Sequence, residues 1–79
     1  MGGVTFAGVT PTAAAVALLI GRAPGVKVQS LAERMGVKPA TMRQHVRLLE
    51  LSGIVARKGH ALTLAVPLAD LQARWGVYV

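Results

Sequence analysis

Three residues, Gly36, Val37 and Lys38, separate two stretches of helical periodicity, and this short gap constrains the fold more than any other feature. Upstream, Leu31, Ala32 and Met35 make an apolar face while Glu33 and Arg34 make a wet one, and Gly36 suits a left-handed helix stop. Downstream, Pro39 fits a first helical position, where its missing N–H leaves no bond unmade. The second helix is expected from Pro39 to Ser52, with Gly53 ending it. Met42, Val46 and Leu49 fall at i, i+4 and i+7 and should be buried, whereas Arg43, Gln44 and Arg47 lie on other faces.

The flanking sequence supplies the remaining elements. Thr10 and Pro11 predict the N-cap and first residue of an earlier helix, in which Val16, Leu19 and Ile20 share a face and Gly21 is read as the stop. Arg22 to Gly25 is a loop, and Val26-Lys27-Val28 alternates like a very short strand. After Gly53, the runs Ile54 to Arg57 and His60 to Leu64 are strand-like, and Lys58-Gly59 between them predicts a tight hairpin turn. Pro67 allows a last short helix with Leu68, Leu71 and Trp75 at i, i+3 and i+7 before Gly76. Residues 1–9, with three glycines and a loose alternation through Val4 and Phe6, fit either a frayed arm or an edge strand. The expected architecture is a single domain over residues 1–79, mainly α with a small β-hairpin: a three-helix core, a two-stranded hairpin and a short C-terminal helix.

Composition narrows the functional classes. A chain of 79 residues has one core, worth only roughly 3–5 kcal/mol without staples or a partner, and little room for a deep catalytic cleft. With no cysteine it has no disulfide, thiol nucleophile or cysteine metal site. The longest apolar stretch, Ala13 to Ile20, is far short of a membrane span, and no basic leader precedes it; a cytoplasmic, nucleoid-associated protein is expected. The net charge of +6 favours a polyanion, with nucleic acid first. Five of the nine cations, Lys38, Arg43, Arg47, Arg57 and Lys58, fall within about a quarter of the chain, opposed there by Glu50 alone. The acids Glu33, Glu50 and Asp70 form no paired-carboxylate motif, no glycine-rich phosphate loop precedes a helix, and His45 with His60 lacks companions for a metal site. No catalytic residue, metal or cofactor is assigned.

The segment Ser30 to Ser52 is a helix-turn-helix unit, and the run from Ser30 through Gly59 resembles the winged helix-turn-helix superfamily. It is similar to arsenic-sensor-type and multiple-antibiotic-resistance-type bacterial repressors in Leu-Ala-Glu-Arg-Met-Gly-Val, in the Pro-Ala-Thr opening of the recognition helix, and in the Leu-Glu-Leu-Ser-Gly-Ile-Val exit into the wing. The resemblance covers roughly Thr12 to Val66, the DNA-reading core, without the long flanking helices by which the multiple-antibiotic-resistance type dimerises and binds effectors. No small-molecule effector is therefore expected. It implies a sequence-specific binder of double-stranded DNA, a transcriptional regulator, with its recognition helix in the major groove and its wing on the backbone or in the minor groove.

Ala40, Thr41, Arg43, Gln44 and Arg47 are the candidate base readers. Arginine pairs bidentately with guanine, glutamine with adenine, and alanine or the threonine methyl packs on a thymine methyl. Lys38 and Pro39 at the helix entrance, and Arg57 and Lys58 on the wing, are candidate backbone contacts, with Arg57 also a candidate for the minor groove. The competing readings are that Arg43 or Arg47 pairs with Glu50, that His45 is a half-buried structural residue, and that His60 is solvated beside the turn. A homodimer is expected, through Val4 to Val9, the alanine-rich first helix, or Leu71 to Val79. The rival function is a protein-interaction or non-specific architectural winged helix in a plasmid, phage or chromosome replication or partition complex.

Overall fold

The structure, a computed structural model, describes Phe6 and residues 8–76. The elements run in the order α1 (Pro11–Arg22), α2 (Val28–Met35), α3 (Pro39–Leu51), β1 (Val55–Lys58), β2 (Ala61–Leu64) and α4 (Leu68–Trp75). This is a winged helix, mainly helical with one antiparallel hairpin. The arm or edge strand anticipated in residues 1–9, and the tail at 77–79, lie largely outside the described residues.

Local chemistry sets most boundaries. Thr10 caps α1 through its hydroxyl, which accepts the Ala13 N–H at 3.1 Å, with Pro11 opening the helix. Gly36 ends α2 at φ 68°, its N–H reaching the Glu33 carbonyl while the Val37 N–H reaches that of Ala32. Gly53 repeats the pattern after α3, at φ 78°, with its N–H on Glu50 and the Ile54 N–H on Leu49. Both helices of the unit therefore close in the same two-bond motif, which needs a left-handed residue and places an apolar side chain just beyond it. Ile54 is that side chain after α3, and it packs with Leu49 in the core.

The core sits where α1, α3, β2 and α4 converge. Val16, Leu18 and Ile20 of α1 meet Leu31, the Met42, Val46 and Leu49 stripe of α3, Leu62 of β2 and Leu71 of α4, all fully buried. The alanine-rich face of α1 is already covered by its own chain: Ala13, Ala14 and Ala17 are buried, and only Ala15 and Leu19 remain half-buried among its apolar positions after the first turn. Leu51 is the one large apolar side chain standing exposed among the described residues. Phe6 meets Trp75 edge-on, ring centroids 5.4 Å apart, and the Arg74 guanidinium lies 4.0 Å over the Phe6 ring, fastening the N-terminal segment to α4.

Four expectations need correcting. Gly21 does not stop α1, which continues to Arg22; the residue is a packing site, because a Cβ there would lie 2.6 Å from Cδ1 of both Leu64 and Leu68. Val26-Lys27-Val28 is not a strand: Val26 alone bridges to Leu62, and Val28 already begins α2. The helix expected over Pro39 to Ser52 is α3, which ends at Leu51 with Ser52 as its cap. The hairpin turn is Gly59-His60 and not Lys58-Gly59, since Lys58 pairs with Ala61 in the register Val55↔Leu64 to Lys58↔Ala61. Gly59, at φ 64°, takes the first central position of the turn, where the right-handed twist of the strands calls for a positive φ.

Candidate nucleic-acid interface

The α3 helix turns one face inward and offers the rest. With Met42, Val46 and Leu49 buried, Pro39, Ala40, Thr41, Arg43, Gln44 and Arg47 are all exposed, as is Lys38 at the N-cap. His45 borders the buried stripe and is half-buried. Leu48 and Glu50 are likewise partly covered.

The hairpin register decides where the wing cations point. Alternation along a strand puts Val55 and Arg57 on the same face as their partners Leu64 and Leu62, which is the face turned to the helices. Val55 and Leu62 are buried there, but Arg57, nearer the turn, is exposed and reaches Glu50 of α3. Its Nη2 lies 3.0 Å from Oε1 of Glu50, an ion pair between the wing and α3. Glu50 is thus paired across elements by Arg57, and neither Arg43 nor Arg47 is within ion-pair distance of it. Lys58 lies on the outer face with Ala56 and is exposed.

Two open hollows meet along this surface. One, of about 410 Å³, is lined by Arg43, Arg47, Glu50 and Arg57. The other, of about 230 Å³, is lined by Lys27, Val28, Gln29, Arg43, Arg57 and His60. Arg43 and Arg57 border both, so the start of α2, the middle of α3 and the wing form one continuous cationic surface. Lys27, Gln29 and His60 thereby join the candidate residues. The sequence does not single out Lys27 and Gln29, because the Val26 to Val28 alternation suggests a strand, nor His60, because a residue flanking a turn is solvated by default. Lys38, Pro39, Ala40 and Thr41 line neither hollow; they sit at the exposed leading end of α3. What this surface can do chemically is donate: guanidinium forks and an ammonium for phosphates and guanine edges, and amides for adenine.

Among the described residues, no helix is long and apolar enough to cross a membrane, and no group of three metal-ligating side chains occurs. No curated protein and no solved structure matches the chain. The profile of the MarR family matches residues 7–62, which include α1, both helices of the turn unit and the wing as far as Leu62. MarR proteins are transcription factors, not enzymes, that bind DNA and typically dimerise. With most of its length inside that match and a winged helix bearing a cationic surface, this chain belongs to the MarR family of DNA-binding transcription regulators.

Proposed function

We propose that the chain binds double-stranded DNA sequence-specifically, with the N-terminal half of α3 in the major groove and the wing on the flanking backbone or in the adjacent minor groove. The observation that carries the reading is the exposed series Ala40, Thr41, Arg43, Gln44 and Arg47, in which Arg43 shares one hollow with Lys27 and Arg57, with Lys58 exposed beside them on the wing. Arg43, Gln44 and Arg47 are the base readers in this scheme. Lys27, Lys38 and Lys58 hold phosphates and fix the register, while Arg57 stays against Glu50. Two copies acting on half-sites one helical turn apart, about 34–36 Å, would fit side by side, because the domain measures 29 × 28 × 21 Å.

Selection from random duplex DNA, followed by salt-titrated binding to the recovered duplex, tests the reading. Arg43→Ala or Arg47→Ala is expected to weaken specific binding by about 1–3 kcal/mol and to relax the preference at one base pair. Lys58→Ala is expected to weaken all duplexes alike and to flatten the salt dependence by about one phosphate contact. Recovery of no preferred sequence would turn the reading toward an architectural binder, and indifference to all three substitutions toward a protein-interaction module.

A further inference from the structure

Glu50 is the sole acid between Lys38 and Lys58, and it stands inside the cationic surface, not beside it. Its carboxylate is part of the wall of the 410 Å³ hollow, with Arg43, Arg47 and Arg57 as the rest. It holds the Arg57 guanidinium at 3.0 Å, the two side chains being 33% and 40% exposed. A pair this open to water adds little to stability, so fold strength is a poor account of a carboxylate at this point. For a surface that meets a polyanion it is a double liability, because it repels phosphate and occupies a cation that phosphate would otherwise use.

That liability has a use. Binding through phosphates alone is blind to register, since many offsets along a duplex bring a phosphate to the hollow. Every such offset must either break the Glu50–Arg57 pair or hold phosphate against a carboxylate. Docking that fills the hollow with base edges meets neither penalty, and a carboxylate can accept a hydrogen bond from the cytosine amino group. Discrimination by penalising the wrong arrangement is a general route to specificity. We infer that Glu50 is a specificity-determining residue, whose charge in the α3–wing hollow disfavours phosphate-only registers relative to base-reading ones. The inference rests on the proposed docking of α3 in the major groove.

Glu50→Gln tests it, because the amide keeps the shape and an oxygen acceptor for Arg57 while removing the charge. Dissociation constants of the full chain are measured, over a range of salt, for the duplex recovered by selection and for a scrambled duplex of equal composition. The scrambled duplex is expected to bind the variant about 3–10-fold more tightly, with a salt slope steeper by about 0.9, and the selected duplex to change by less than about twofold. Glu50→Asp, which retains the charge, should stay near the wild-type ratio of the two affinities. The inference is overturned if that ratio is unchanged in Glu50→Gln, if both affinities fall together as for a mere strut, or if Glu50→Asp behaves like Glu50→Gln. Arg43→Ala separates the two levels. If it leaves the selected duplex unaffected, the docking scheme fails and takes the inference with it; if it weakens that duplex while Glu50→Gln preserves the ratio, the inference alone fails.

Discussion

Replacing Gly21 with alanine sets two effects of similar size against each other. Gly21 lies within α1, and its φ is not among the positive ones, so the local effect of a methyl is to stabilise the helix by roughly 0.5–1 kcal/mol. The tertiary effect is opposite. The new Cβ would stand 2.6 Å from Cδ1 of Leu64 and 2.6 Å from Cδ1 of Leu68. Carbon pairs rest at about 3.5–4.0 Å, so each methyl must retreat by about 1 Å. One leucine tip could swing aside cheaply, but these belong to β2 and α4, and both must give at once. Overpacking of this kind costs about 1–3 kcal/mol, which leaves a net loss of about 1 kcal/mol after the helical gain. For a domain of this size that lowers the melting temperature by roughly 4–8 °C, readable by circular dichroism and checked by urea unfolding. Leu64→Ala removes one of the two obstructing methyls, so Gly21→Ala in that background should cost less, with a coupling of about 0.5 kcal/mol or more. A melting temperature unchanged or raised by Gly21→Ala alone would refute the packing account and return the residue to a purely local role.

Thr10→Ala removes the hydroxyl that caps Ala13 N–H and is expected to lower stability by about 1 kcal/mol, measured by chemical denaturation. Gly59→Ala meets no atom within 4 Å, so its cost is the left-handed backbone alone, about 1–2 kcal/mol in the same assay; a neutral result would mean that the turn is not held at φ 64°. Lys27→Ala should reduce the slope of log affinity against log salt by about 0.9, and an unchanged slope would remove the start of α2 from the binding surface.

The parts of the fold legible from the chain are those decided within a few residues. Thr10 with Pro11, Gly36, Pro39 and Gly53 act through their own backbone and its nearest carbonyls, and the Met42, Val46 and Leu49 stripe needs only helical periodicity. What was illegible depends on distant partners. Gly21 looks like a helix stop unless Leu64 and Leu68 are known to press on it, more than forty residues away. The strand-like alternation at Val26 yields to helix at Val28 because one bridge to Leu62 already satisfies the segment. The turn moved by one residue because glycine serves either central position of a tight hairpin, and the pairing of Lys58 with Ala61 settles which. At the candidate interface, charge clustering pointed to the face that α3 and the wing share, while the partner of Glu50 emerged only once the hairpin register had set Arg57 against α3.

The bridge at Leu62 bears on how this domain would meet a duplex. Gly25 N–H donates to the Leu62 carbonyl at 2.8 Å, and Leu62 N–H donates to the Val26 carbonyl at 3.0 Å, so the wing is stitched to the segment leading into α2. Because α2 runs into α3 through three residues, the distance between the helix and the wing is set before any DNA arrives. Little ordering remains to oppose association on the protein side. On the proposed docking the domain would be a calliper of fixed opening, with the double helix doing the adjusting. Steps that bend or narrow easily should be favoured at base pairs that no side chain touches, giving a share of the sequence preference to the elasticity of the DNA.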